Sequence, residues 1–132
     1  MNAIRRICVK NTSDIVPASM KGREIARQMG FSATDQSRIS LVISELARII
    51  SWNTTAPGEI VMSDARQNEH RGLEIACLVS LENMSNGDNA TWAKNSSILW
   101  RSLTGVRQLA DESMIEAQDE KQARVMLTKW RT

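Results

Sequence analysis

The sequence predicts an α+β fold, in which helices cover one face of a mainly antiparallel sheet. Two observations predict it: apolar residues recur at helical spacing through the first half of the chain, and short runs of strand character follow in the second half. The predicted order is strand, helix, helix, strand, strand, long loop, helix and strand. The 132 residues contain no repeat and no long internal linker, so we expect one domain, 1–132.

The boundaries of the first strand and first helix are marked by short-range signals. Residues 3–9 predict the strand. Asp14 is predicted to cap the helix, Pro17 suits its first turn, and Gly30 is predicted to end it as a C′ residue. The residues that recur at helical spacing are Ala18, Gly22, Ile25, Ala26 and Met29.

The second helix carries the most regular apolar pattern in the chain. Ser32 or Thr34 is predicted to cap it, and Asp35, three residues after Ser32, makes an acidic variant of the capping box. The apolar positions follow the i, i+3, i+4, i+7 spacing of a helix packed on a core. They are Ile39, Val42, Ile43, Leu46, Ala47 and Ile50.

The second half of the chain changes to strand-like runs. APGEIVMSDA (56–65) and GLEIACLVSL (72–81) predict an antiparallel hairpin around a polar loop. Residues 83–97 are rich in Asn, Ser, Gly and Asp and predict a long loop. A third helix is predicted over 98–112 and a last strand over 122–130.

The composition narrows the classes of function. A net charge of +2 gives no argument for nucleic-acid binding. No apolar run is long enough to cross a membrane. The N-terminus lacks the apolar block of a signal peptide, so the cytoplasm is expected. Cys8 and Cys77 are interpreted as small buried core residues, and His70 as a solvated loop residue, so no metal site is expected.

The stretch DIVPASMKGREIARQMGFSATDQSRISLVISELARII (14–50) resembles the first half of bacterial anti-sigma-factor serine kinases. These form the partner-switching group of the GHKL (gyrase, Hsp90, histidine-kinase, MutL) ATPase superfamily, and the switch kinases of the stressosome are the most similar. The motifs GLEIA, LTGVRQLADE and KW extend the resemblance to nearly the whole chain. It implies a two-layer α/β sandwich of Bergerat type, with ATP and magnesium as the family's cofactors.

The first family motif is only partly present. In the family, a Glu of the long helix is the proposed general base, and an Asn four residues later holds magnesium. Glu45 and Arg48 match the motif, but Ile49 stands at the Asn position. Magnesium requires oxygen ligands, which an isoleucine side chain lacks. Asn53, one turn further, is the alternative ligand on this helix.

The second motif, D-x-G-x-G, supplies the adenine contact in the family. Aligned from GLEIA, its Asp position is Val79 and its two Gly positions are Leu81 and Asn83. The adenine hydrogen bond would therefore be missing, and side chains would fill space that only glycine leaves open.

The third motif, G-L-G-x-G-L, cradles the phosphates with backbone N–H groups. Aligned on LTGVRQLADE, its three glycines become Ile98, Trp100 and Ser102. An indole is incompatible with a position where backbone must touch phosphate. Together with Val79 and Leu81, we expect Ile98 and Trp100 to pack as an apolar plug in the former pocket.

These changes predict a pseudokinase that binds protein partners without a cofactor. The alternative is an active serine/threonine kinase with an atypical site for ATP and magnesium, in which Glu45 is the base and Asp88 or Asn89 supplies a ligand. Without the other motifs, Glu45 and Arg48 are better explained as exposed helix charges, or as a protein contact, than as catalytic residues. A nucleic-acid binder is a weaker alternative, since the basic residues are scattered.

The resemblance implies protein partners: STAS-domain antagonists or scaffolds, sigma factors, or regulators of PP2C-type phosphatases. Neither nucleic acid nor membrane is expected as a partner. Trp92 is interpreted as an exposed anchor or, equally, as part of a loop folded back on the core. The predicted partner-binding residues are Asp14, Arg23, Arg27, Arg38, Arg48 and Trp92.

Overall fold

The computed structural model describes most of the chain: residues 4–53, 58–81, 92–119 and 121–131, with the side chains of all of these except 53 and 92–96. A short 3₁₀ turn, Thr12–Asp14, follows the first strand. The elements are β1 (Ile4–Val9), α1 (Ile15–Gln28), α2 (Ala33–Asn53), β2 (Gly58–Gln67), β3 (His70–Ser80), α3 (Trp92–Ser102), α4 (Thr104–Arg107), β4 (Glu112–Ala117) and β5 (Gln122–Trp130).

The five strands form one sheet in the order β1-β2-β3-β5-β4, and neighbouring strands in this order pair antiparallel. The predicted hairpin is β2–β3, whose turn contains Asn68 with a positive φ of 56°. Alternate strand residues are buried against the helices, as a sheet with one covered face requires. This arrangement confirms the predicted α+β class and the antiparallel sheet.

The two long helices agree closely with their sequence patterns. All six stripe residues of α2 are buried, and the helical apolar positions of α1 are buried or half-buried. Gly22 lets the two helices approach closely, because a Cβ atom there would lie 2.6 Å from Ile43 Cγ1. Gly30 adopts a φ of +86° just after the last turn of α1, which confirms it as the C′ residue.

The prediction that Asp14 caps the first helix is confirmed for its position but not for a side-chain bond. Asp14 occupies the N-cap position of α1 but makes no side-chain capping bond to it. Its carboxylate instead accepts hydrogen bonds from the backbone N–H groups of Lys10 at 2.7 Å and Asn11 at 3.3 Å. The carboxylate thereby completes a capping box on the preceding 3₁₀ turn, whose N-cap residue is Asn11.

Only one of the two hydrogen bonds of the capping box predicted for α2 forms. Ser32 caps the helix by accepting a hydrogen bond from the N–H of Asp35 at 3.2 Å. The Asp35 carboxylate is buried, and it faces Arg38 at 3.1 Å and Lys129 at 3.6 Å. It therefore joins α2 to β5, which local sequence spacing does not reveal.

The helix predicted over 98–112 was wrong at its end. Helix α3 breaks at Leu103, α4 ends at Arg107, and the following residues form β4, a strand that the sequence did not predict. β4 pairs with β5, and this pairing satisfies the backbone groups on the side of β4 that faces β5. The loop predicted over 83–97 is corrected at 92–97, which are helical, and the rest of that loop lies outside the described residues.

The two cysteines lie in different environments. Cys77 is buried, and desolvation raises the pKa of its thiol to about 12. Cys8 is exposed, so its predicted burial was wrong. It lies between Ile7 and Val9, which are buried on the helix-covered face, so it faces the other side of the sheet. Among the described helices, none has the length and apolar character needed to cross a bilayer.

Candidate functional site

Helix α2 presents a mixed apolar and charged stripe on its outward side. The residues of this stripe follow one another at intervals of three or four, so they line one face of the helix. Leu41 and Trp52 are 54% and 64% exposed, which is unusual for large apolar side chains. We call this set the outer stripe of α2, and it consists of Arg38, Leu41, Glu45, Arg48 and Trp52.

Three side chains of the outer stripe hold one another in place. The Arg48 guanidinium donates a hydrogen bond to the Glu45 carboxylate, and this bond, followed by the charge of Glu45, raises the pKa of Arg48. The same guanidinium lies over the Trp52 ring, 5.5 Å from its centroid. Arg48 is thereby positioned as a fixed cation beside an exposed indole.

A groove beside the outer stripe separates α2 from α4. Its volume is about 260 Å³, and its lining combines the polar residues Glu45 and Ser102 with mainly apolar neighbours. Sites for organic cofactors usually enclose ~300–1,000 Å³. Among the described residues, the groove therefore suits one or two inserted side chains better than a whole nucleotide. Its lining is Leu41, Glu45, Ser102, Gly105, Val106 and Leu109.

Three positions of the family's nucleotide motifs lie in the apolar core. Ile49, Val79 and Leu81 are 5%, 1% and 1% exposed and belong to one continuous cluster of buried side chains. Helix α2 supplies the first of them, and β3 with the residue after it supplies the other two. Aliphatic carbon thus occupies the positions that the resemblance assigns to the magnesium ligand and the adenine contact. Asn83 lies outside the described residues.

The remaining motif positions lie on α3, at the edge of the core. Ile98 and Trp100 are half-buried, and the Trp100 ring packs against the Arg107 guanidinium, 4.1 Å from its centroid. Ser102 is exposed, and its hydroxyl donates a hydrogen bond to the Ile98 carbonyl at 3.0 Å. The residues of α3 and its end that enter the core are Leu99 and Leu103.

The residues predicted to bind a partner lie on several elements. Asp14 caps a turn, and Arg27 donates to Glu24 at 2.9 Å, which lowers the pKa of that carboxyl group. Arg23 is exposed on α1. The side chain of Trp92 lies outside the described residues.

Arg23 and Arg27, four residues apart, share a face of α1, and Arg38 and Arg48 share a face of α2, the outer stripe. Leu41 and Trp52 complete that face and were missed, although the three- and four-residue spacing from Arg38 to Trp52 was available in the sequence.

Within the described ranges, no group of three or more His, Cys, Asp or Glu side chains is arranged to hold a metal ion. His70 is exposed, and its ring lies 6.5 Å from that of Trp130.

Comparison with known proteins gives one informative similarity. No family model matches the chain. Serine/threonine-protein kinase RsbT of Bacillus subtilis (strain 168) is 29% identical over 123 residues, and the aligned region covers 89% of each chain. The similarity extends over nearly the full length of both proteins, and it supports a relationship of this chain to RsbT-like kinases.

Proposed function

We propose that this chain is a catalytically degenerate homologue of the anti-sigma-type serine kinases, and that it regulates a bacterial partner-switching pathway by binding protein. In this proposal it is a single domain of the Bergerat type, acts in the cytoplasm and binds no ATP. The observation that carries the proposal is the burial of Ile49, Val79 and Leu81 in the apolar core.

The chemistry of phosphoryl transfer explains why these three residues matter. The reaction depends almost entirely on positioning the phosphates and compensating their charge, for which magnesium is the usual cation. Magnesium keeps oxygen ligands, and the side chain at position 49 provides none. The side chains of Val79 and Leu81 cannot accept a hydrogen bond from adenine, and both are packed in the apolar core.

The outer stripe of α2 is the surface that we propose for the partner. Trp and Arg are the residue types that most often dominate binding energy at protein interfaces. Trp52 and Leu41 offer apolar area, while Arg48 is already held in place by Glu45 and therefore loses little freedom on binding. The proposed partner is a STAS-domain antagonist or scaffold protein, with sigma factors and PP2C-type phosphatase regulators as the other family partners.

Arg48→Glu tests the surface. We expect it to weaken the affinity for a STAS-domain protein that co-purifies with the chain from its native cell by at least about tenfold, because a central charge is reversed. Trp52→Ala should weaken it similarly. Thermal stability should change little, because exposed helical ion pairs contribute about 0.3–0.5 kcal/mol.

Arg101→Glu is the matched control, since Arg101 is an exposed arginine on a different helix, α3. It should leave the affinity, measured by titration calorimetry, within about twofold of the unchanged protein. Unchanged affinity in both Arg48→Glu and Trp52→Ala would place the partner elsewhere.

A second candidate function is an active serine/threonine kinase. It is favoured by the position of Glu45, which lines the groove together with the Ser102 hydroxyl, and by the similarity to a protein named as a kinase. It requires ATP and magnesium. Transfer of labelled phosphate from ATP to the STAS-domain partner, lost in Glu45→Gln, would establish this function in place of the first.

A further inference from the structure

Three arginines lie side by side at one end of the sheet. Arg66 and Arg71 are directly opposite each other in the β2–β3 pairing. Gly72 pairs with Trp130, the last residue of β5, and the N–H of Arg131 donates to the Arg71 carbonyl at 2.8 Å. Arg131 therefore extends the same row to the end of β5. We call Arg66, Arg71 and Arg131 the arginine row.

The arginine row lines a cavity of about 160 Å³ between the strand ends and the turn that joins α1 to α2. Neighbouring strands are ~4.8 Å apart, so three guanidinium groups on one face can converge on one small group. Asp64 is the carboxylate of the cavity, and Phe31 contributes an apolar wall. Three positive charges and one negative charge leave the lining with a net charge of +2.

The positive charge of the row is not neutralised by the rest of the described chain. Arg131 donates to the Met29 carbonyl at 3.1 Å, which fixes its guanidinium at the cavity but brings no negative charge. The side chains of Arg66 and Arg71 have no ion pair or hydrogen bond within the described residues. Like charges directly opposite on neighbouring strands are destabilising, so an anion between them would relieve the repulsion.

We propose that the arginine row binds a phosphate group, as inorganic phosphate or as a phosphate monoester. A carboxylate is satisfied by one bidentate arginine, whereas a phosphate presents enough oxygen atoms for three guanidinium groups. The cavity is smaller than the ~300 Å³ of typical organic ligand sites, so it accommodates the phosphate group and leaves the rest of a larger ligand outside.

This site is separate from the surface proposed for the protein partner. Phe31 at the cavity precedes the first residue of α2, whereas Arg48 and Trp52 lie near the last turns of that helix. At 1.5 Å per residue, the distance along the helix from its start to Arg48 is roughly 22 Å. Phosphate binding can therefore be tested without knowledge of the partner.

The test uses the whole chain and two soluble probes, inorganic phosphate and O-phosphoserine, each compared with chloride and acetate at equal ionic strength. Binding is followed by the rise in Tm and by titration calorimetry. Either phosphate probe should raise Tm in a saturable way, while chloride and acetate should not. Tighter binding of O-phosphoserine indicates a phosphorylated side chain as the natural ligand, and tighter binding of inorganic phosphate indicates the free ion.

Substitutions in the row give a signature that a purely structural role would not produce. Arg66→Gln and Arg71→Gln should each weaken phosphate binding about tenfold, because each removes a charged hydrogen-bond donor. Without phosphate, the same variants should have an unchanged Tm or one higher by up to about 2 °C, because repulsion across the strands is relieved. Asp64→Asn should tighten phosphate binding several-fold, since it removes the negative charge of the cavity.

Arg23→Gln is the control, an exposed arginine on α1 that does not line the cavity. It should bind phosphate as the unchanged protein does. Equal effects of phosphate and acetate, or equal phosphate affinity in Arg66→Gln and Arg23→Gln, would overturn the proposal.

Discussion

Replacing Lys129 with methionine is expected to lower the free energy of unfolding by about 3 kcal/mol, in the range measured for breaking buried ion pairs. Lys129 is only 8% exposed, and its ammonium nitrogen lies 3.2 Å from Asp111 Oδ2 and 3.6 Å from Asp35 Oδ1. Methionine retains most of the side-chain volume but removes the charge. Among the described residues, Asp35, 4% exposed, would then keep Arg38 as its cationic partner.

The measurement is urea unfolding of Lys129→Met beside Lys10→Met, which removes a lysine that is exposed at the end of β1. The control should differ from the unchanged protein by less than about 0.5 kcal/mol. The double variant with Asp35→Asn and Lys129→Met should lose less unfolding free energy than the two single variants lose together, because both residues belong to one network. Equal stabilities of Lys129→Met and Lys10→Met would show that the ion pair between Asp35 and Lys129 does not hold α2 to β5.

Leu46→Ala should destabilise the protein by about 2–5 kcal/mol, because it leaves a cavity in a packed interior. Leu46 is fully buried at the centre of the apolar stripe of α2. The same helix provides a matched control in Leu41, which is 54% exposed on the outer stripe. Leu41→Ala should change stability by less than about 0.5 kcal/mol and reduce affinity for the protein partner.

Denaturant unfolding of the two alanine variants, followed by partner titration of Leu41→Ala, separates the two faces of α2. The reverse pattern, with Leu41→Ala destabilising and Leu46→Ala tolerated, would mean that the helix is rotated relative to the described packing.

Helix α2 was predictable because its boundaries and its face depend on local signals. Ser32 caps it, and the apolar residues from Ile39 to Ile50 repeat with a helical period. By contrast, the sequence DESMIEA gave no clear strand signal, and it forms β4 through pairing with β5. Tertiary pairing overrode local preference there, which spacing within the segment does not report.

The candidate site was predictable only where the type of a single side chain decides whether it can bind a ligand. The side chains of Ile49, Val79 and Leu81 were enough to predict that the family's ligand contacts are missing. Their burial in the core could be seen only in the structure. The link between Asp35 and Lys129 joins α2 to β5, and the sequence contains no signal for that contact.

The arginine row likewise depends on the register of three strands, which hydrophobic patterning fixes only in part. The spacing of apolar residues along the sequence predicted the buried faces of the two long helices. It did not locate residues that meet across strands.

The proposal that this chain binds no ATP rests on buried aliphatic side chains at the positions of the family's magnesium ligand and adenine contact. Titration calorimetry of the purified chain with ATP and magnesium, up to millimolar nucleotide, tests this claim most directly, and Tm measured over the same range provides a second signal. We predict no saturable heat and no change in Tm. Saturable binding near one ATP per chain, with a magnesium-dependent rise in Tm of several degrees, would contradict the claim.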